Sequence, residues 1–113
     1  MLEVVTYSKK WMPSVSIIVP TYNRRDRCHL VILSLLKQDF IGTFEVIVVD
    51  DGSTDGTVDY LQTINDSRLK IVKQTNQGAA SARKNGVDNA KADIVVFNDS
   101  DDIVYPNKIQ VLY

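Results

Sequence analysis

Three short polar stretches carry the residue types that could do chemistry: Pro20-Thr21-Tyr22-Asn23, Asp50-Asp51-Gly52-Ser53 and Asp99-Ser100-Asp101-Asp102. The first two lie at the end of a run of apolar, largely β-branched residues, and the third follows such a run after Asn98. Bare carboxylates repel phosphate unless a divalent cation stands between them. The third stretch supplies hard oxygen ligands of the kind that hold Mg²⁺ or Mn²⁺ on a diphosphate. Two other phosphate-binding devices are absent from the sequence: there is no Gly-x-x-x-x-Gly-Lys-Ser/Thr, and no Gly-x-Gly-x-x-Gly follows the first apolar run.

The elements that must position these stretches can be read in order. Residues 15–19 form a buried strand that Pro20 is expected to end, because proline cannot continue a ladder. Over residues 26–38 the apolar side chains recur at helical spacing, with Asp26 as a candidate cap. Residues 44–49 form a second buried strand that runs into carboxylates. Ser53 or Thr54 could cap the next helix, with Asp55 in its first turn and Val58, Leu61 and Ile64 on one face. Residues 69–72 read as a third strand. Residues 78–90 read as a helix whose Ala79, Ala80, Ala82, Gly86 and Ala90 would let it lie close to a sheet. Residues 94–97 make a fourth strand that runs into Asn98 and the acidic stretch.

Strands alternating with helices at this spacing predict an α/β fold, a Rossmann-like parallel sheet with helices on both faces. All strand C-termini then lie on one edge, and ligands bind in the crevice outside it. The three polar stretches are therefore expected to share one site.

Composition bounds the rest. The chain has 113 residues, 44% hydrophobic and 24% charged, which suits one ordinary globular domain. Its 13 basic and 14 acidic residues leave a formal net charge of -1, too small a field to argue for nucleic acid or an anionic membrane. A small-molecule ligand is the better expectation. Cys28 is the one cysteine, so no intrachain disulfide can form, and a reducing compartment is expected. Residues 1–13 lack the apolar core of a signal peptide, and no apolar run is long enough to span a bilayer. The reading is a cytosolic chain, with the cytosolic face of a membrane open to a longer protein.

The residues so far singled out, in their order, resemble the inverting family 2 glycosyltransferases of GT-A fold. The likeness is carried by Ser16-Ile17-Ile18-Val19-Pro20-Thr21-Tyr22-Asn23, by Val48-Val49-Asp50-Asp51-Gly52-Ser53-Thr54-Asp55-Gly56-Thr57, by Asn76-Gln77-Gly78 with Ala82-Arg83-Lys84-Asn85-Gly86, and by Asp99-Ser100-Asp101-Asp102. Acidic doublets after strands are common, so one motif alone is weak; four at family order and spacing are specific. The likeness implies an N-terminal extension over residues 1–14 and the nucleotide-sugar-binding part of the transferase domain over 15–113. It also implies a sheet order of 3-2-1-4.

Roles follow from the resemblance residue by residue. Pro20, Thr21, Tyr22 and Asn23 would line the base pocket, and Asp51 would accept a hydrogen bond from a ring N–H of the base, which favours uracil. Asp50 would sit near the ribose, and Arg83 would reach toward the nucleotide. Asp101 would be the direct metal ligand, with Asp99 toward metal, ribose or sugar; Asp102 stands second. The implied reaction is transfer of a sugar from a nucleotide diphosphate, UDP above all, to a hydroxyl of a carbohydrate or lipid-linked acceptor, with inversion and a divalent metal. Polysaccharide biosynthesis is the implied setting. A general base would lie well downstream of the acidic stretch, beyond Tyr113, since family catalytic domains run to roughly twice this length. The alternative is a module that binds UDP and metal without transfer. A homodimer through an exposed sheet edge or uncovered apolar surface is a further expectation.

Plainer readings compete at several positions. Asp50 and Asp51 could form a solvated turn with Gly52, and Asp102 could serve as a helix cap before Pro106. Arg83 could be a solvated helix residue, and Asn76 and Asn85 are weaker candidates still. His29 falls within the first helix, far from the strand ends, and reads as structural. An α/β phosphoacceptor domain would want its acidic clusters after strands one and three with a later lysine, a pattern this chain lacks.

Overall fold

A computed structural model describes residues 12–40, 42–107 and 110. The elements run β1 (Val15–Thr21), α1 (Arg25–Leu36), β2 (Phe44–Asp50), α2 (Thr57–Leu61), β3 (Leu69–Lys73), α3 (Ala79–Asn89) and β4 (Ile94–Phe97). The strands form one parallel sheet in the order β3-β2-β1-β4, as the family resemblance implies. Among the described residues no helix is long and apolar enough to cross a membrane.

Strand alternation divides the core in two. Val15, Ile17 and Val19 of β1, with Phe44, Val46 and Val48 of β2, face α1 and α2, where Cys28, Val31, Ile32, Leu35 and Leu61 meet them. The intervening Ile18, Ile47 and Val49 face α3 and its Ala82. Both faces of β1 and β2 are thus covered, which is why these strands read as continuous apolar runs. Glu45 interrupts the apolar run of β2. Its buried carboxylate accepts from Ser16 Oγ at 2.6 Å and from the Lys91 N–H at 2.8 Å, while Ser16 Oγ accepts from the Ala92 N–H at 3.1 Å. This polar knot fixes the turn between α3 and β4 from beneath the sheet.

Several local expectations are corrected. β1 continues through Pro20 to Thr21. The Ile18 carbonyl accepts from Asn98 on the β4 side, and the Thr21 carbonyl accepts from Asp51 on the β2 side. Alternation therefore turns the position of the missing Pro20 N–H toward the β4 side, where strand pairing has already ended at Ile18–Phe97. Asp26 does not cap α1. It lies inside the first turn and pairs with Arg25, while the Arg25 N–H is taken by Asp55 from the loop after β2. Nor do Ser53 and Thr54 cap α2, which starts only at Thr57 after a left-handed Gly56. Ser53 is engaged by Asp50, and the Thr54 N–H by Asn23. Pro106 and Asn107 lie in a turn, and most of the helix expected after Pro106 falls outside the described residues.

The small residues of α3 do what their sizes suggest. A Cβ on Gly86 would lie 2.3 Å from Ile18 Cγ2 and 3.3 Å from Val49 Cγ2. Ile18 is fully buried and β-branched, so it has little room to yield. Gly86→Ala is therefore expected to destabilise the fold by about 1–3 kcal/mol through overpacking, although alanine in a helix interior is intrinsically better than glycine by roughly 1 kcal/mol. A urea midpoint unchanged or raised in this variant would contradict the close approach.

Candidate functional site

Parallel pairing brings the three polar stretches to one edge, where a cavity of about 430 Å³ opens. Of the residues singled out from sequence, Pro20, Thr21, Tyr22, Asp51, Arg83, Asp99 and Asp101 line it; Asn23 and Asp50 do not. Arg24, Ala79, Ala82 and Ser100 complete the lining.

Asp50 and Asn23 act as scaffolding. Asp50 is buried and accepts from the Ser53 N–H at 2.9 Å and from Ser53 Oγ at 2.5 Å, which closes the turn after β2. Asn23 sits at φ 50, a left-handed conformation that asparagine tolerates better than most residues. Its N–H donates to Ser53 Oγ at 2.8 Å and its Oδ1 accepts from the Thr54 N–H at 2.7 Å. The loops after β1 and β2 are stapled together by this exchange. Asp55 adds a third tie, accepting from the Arg25 N–H at 3.1 Å and from both the N–H and the hydroxyl of Thr57.

Asp51 faces the other way. Its Oδ1 accepts from Gln74 Nε2 at 2.9 Å and the Gln77 N–H at 2.7 Å, and its Oδ2 from the Gly78 N–H at 3.0 Å. The last two donors lead into α3, so the carboxylate also meets the positive end of that helix. Gln74 is held in turn, because its Oε1 accepts from Asn85 Nδ2 at 3.0 Å, and Asn89 Nδ2 donates back to Asn85. A carboxylate has about four acceptor positions, so three internal donors leave about one for the cavity. Gly52 makes the turn possible: its φ is 85, and a Cβ there would lie 3.1 Å from the Asn76 nitrogen. Thr21 meets Asp51 through its backbone carbonyl, which accepts the Asp51 N–H at 2.9 Å, while its buried hydroxyl lies against the Cys28 thiol. On the apolar side of β1, burial pushes the Cys28 thiol up to about 11, so it is no nucleophile at neutral pH.

The loop after β4 is shaped by Asn98, which the sequence reading passed over. Its Nδ2 donates to the carbonyls of Asp99 and Asp102, both at 3.0 Å, and the Asp102 N–H returns to the Asp99 carbonyl at 3.2 Å. Asp99 and Asp101 are left exposed at the cavity rim. Each faces an arginine: Arg83 Nη2 lies 3.9 Å from Asp99 Oδ1, and Arg24 Nη1 lies 3.3 Å from Asp101 Oδ2. No cluster of three or more metal-ligating side chains occurs among the described residues. One or two carboxylates on a single loop suit a cation held jointly with phosphate oxygens and water, not one in a cage built by protein alone. His29 stacks on Tyr60 with centroids 4.0 Å apart and lies outside the cavity lining, consistent with a packing role.

The family model for glycosyl transferase family 2 matches residues 16–113, and the chain belongs to that family. It is 42% identical over 103 residues to the putative teichuronic acid biosynthesis glycosyltransferase TuaG of Bacillus subtilis, and 40% identical over 102 residues to an uncharacterized glycosyltransferase of Haemophilus influenzae. Each match covers 88% of this chain and 40% of the relative, so the chain spans less than half the length of these relatives. The crystal structure of S. aureus TarS 1-349 in complex with UDP superposes with a TM-score of 0.79 at 38% identity, covering 88% of this chain and 30% of that one. The mannosyltransferase PcManGT from Pyrobaculum calidifontis, in complex with GDP-Man and Mn²⁺, gives a TM-score of 0.69 at 34% identity, with 80% of this chain and 28% of that one covered. The sheet is thus that of a GT-A transferase.

Three carboxyls in the described residues are held below the usual carboxylate range. For Asp51 the cause is first the Gln74 hydrogen bond and then the Gln77 and Gly78 N–H groups; for Asp66 it is chiefly Arg68. For Asp55 burial opposes the shift, and the Thr57 and Arg25 donors outweigh it. A depressed folded-state value means stability that is present above the unfolded aspartate value of about 3.9 and lost as pH falls through the folded values. Asp51→Asn is expected to lose about 1–3 kcal/mol at pH 7, because its amide would confront donors with a donor. The deficit against the parent chain is expected to shrink as both are acidified below the unfolded aspartate value of about 3.9 and on through the lower folded one. Urea titrations across that range test this, and a deficit independent of pH would contradict it.

Proposed function

We propose that this chain forms the donor site of an enzyme that transfers a sugar from UDP-sugar to an acceptor hydroxyl with inversion. The observation that carries the reading is Asp51, whose fixed carboxylate lines the cavity with about one acceptor position left. A ring N–H, as in uracil, is the complement of that acceptor. Tyr22, half exposed at the cavity wall, offers a face for the base to stack on. TarS has been crystallised with UDP and with UDP-GlcNAc, which supports uridine, whereas the mannosyltransferase carries GDP-Man.

Asp101, with Asp99 beside it, would hold a divalent cation, Mg²⁺ or Mn²⁺, against the donor's diphosphate; the Mn²⁺ complex of the mannosyltransferase supports this. Such a cation supplies Lewis-acid stabilisation of the departing diphosphate. Arg83 would balance phosphate charge from α3. The proton of the acceptor hydroxyl needs a base, which we assign to a carboxylate downstream of Tyr113. The 113-residue chain is accordingly expected to bind donor nucleotide and transfer nothing, since a missing base alone lowers rates by about 10²–10⁴. A glycan or lipid-linked acceptor in polysaccharide synthesis fits the name of the Bacillus relative.

Calorimetry with UDP, with and without Mn²⁺, tests the site. Asp51→Ala is expected to weaken UDP whether or not metal is present, and Asp101→Ala to remove mainly the metal-dependent part. Equal, metal-independent binding by the parent and both variants would refute the assignment, and sugar transfer by the unextended chain would refute the placing of the base.

The rim of the sheet bears on assembly. Among the described residues β4 pairs with β1 alone, and Ile94 and Phe97 are exposed on it. Self-association of this chain through that edge is expected. A clean monomer by light scattering at high concentration would contradict it.

A further inference from the structure

Arg24 was not singled out from sequence, yet it is one of two arginines in the cavity wall. Its backbone is anchored at the start of α1, where its carbonyl accepts the Cys28 N–H at 2.7 Å, while its side chain reaches out half exposed to Asp101. Arg83 approaches Asp99 from α3 in the same way. The rim therefore balances two guanidinium groups against two loop carboxylates. Asp51 is left out of this balance because its charge already meets three internal donors.

That balance cannot survive donor binding as read above. With a divalent cation bound, Asp101 would no longer be the partner of Arg24, and the donor's diphosphate would offer new anionic oxygens in the same cavity. A solvent-exposed ion pair is held weakly, so the exchange meets little resistance. The guanidinium fork matches phosphate geometry. The loop itself need not move, because Arg27 Nε donates to the Asp101 carbonyl at 3.0 Å and keeps the backbone fixed to α1 when the side chain of Arg24 departs.

We infer that Arg24 is an exchangeable anion-binding arm of the donor site: it rests on Asp101 in the absence of metal and transfers to the donor's diphosphate when a divalent cation takes that carboxylate. The inference rests on the donor-site reading and adds to it a residue that competes with the cation and assists the phosphate.

Opposite signs make this testable on the chain itself. In Arg24→Ala, Mn²⁺ alone, followed by electron paramagnetic resonance of the free ion, is expected to bind more tightly, by up to about fivefold. UDP in the presence of Mn²⁺ is expected to bind about tenfold or more weakly. Uridine, which lacks phosphate, should bind as it does to the parent, and Arg24→Lys should recover part of the UDP affinity. Thermal unfolding of each variant, followed in parallel, should match the parent. Equal weakening of UDP and uridine would mean that Arg24 merely shapes the cavity and would overturn the inference, as would UDP affinity unchanged in Arg24→Ala. A parent chain that binds neither UDP nor Mn²⁺ would instead overturn the donor-site reading on which it rests.

Discussion

Asp51 accepts hydrogen bonds from Gln74, Gln77 and Gly78, and through them one carboxylate ties the end of β2 to the exit of β3 and the start of α3. This single group sets the geometry of the cavity's inner wall. The loop from β2 can reach the N–H groups only because Gly52 takes a left-handed turn against the backbone of Asn76. Gln74 can serve only because Asn85, one helix face away, fixes its amide. A buried polar group of this kind costs free energy unless every partner is in place, so the network is self-consistent or absent. What remains of Asp51 for a ligand is a consequence of what the fold has already taken.

The opposite wall is built by a second set of ties with the same logic. Asp50, Asn23, Ser53 and Asp55 exchange hydrogen bonds between the loops after β1 and β2, so that the start of α1 is held by the chain segment that precedes α2. Arg24 and Arg27 extend from this fixed start to the acidic loop after β4. The three strand-end loops thus form a closed circuit around the cavity. The two carboxylates that stay exposed, Asp99 and Asp101, lie where the circuit opens to solvent.

Such an arrangement divides labour between rigid and exchangeable groups. Asp51 and the loop backbones are fixed by multiple internal donors, which would suit recognition of one base edge in the proposed donor site. The arginine–aspartate pairs at the rim are exposed and single, which favours exchange of partners when charge arrives. On the proposed reading, base recognition and phosphate handling would be carried by groups of different stiffness within one cavity.

The strands, their order of appearance and the convergence of the polar stretches were legible in the sequence, because a parallel sheet with right-handed crossovers leaves all strand C-termini on one edge. The small residues of α3 likewise announced a close approach, which Gly86 makes against Ile18. Local propensity failed where a tertiary partner outbid a neighbour: Asp26, Ser53 and Thr54 looked like caps, but Asp55 reaches across to Arg25, and Ser53 and the Thr54 N–H are already engaged. The same cause separates the site residues. Sequence placed Asp50, Asp51, Asn23 and Arg83 together at the edge, but only the folded chain turns Asp50 and Asn23 into scaffolding and leaves Asp51 and Arg83 to the cavity. Arg24 and Arg27 carried no motif; Arg27 meets Asp101 across 74 positions of chain, and such a contact is written in the packing of α1 against the sheet, not in any local pattern.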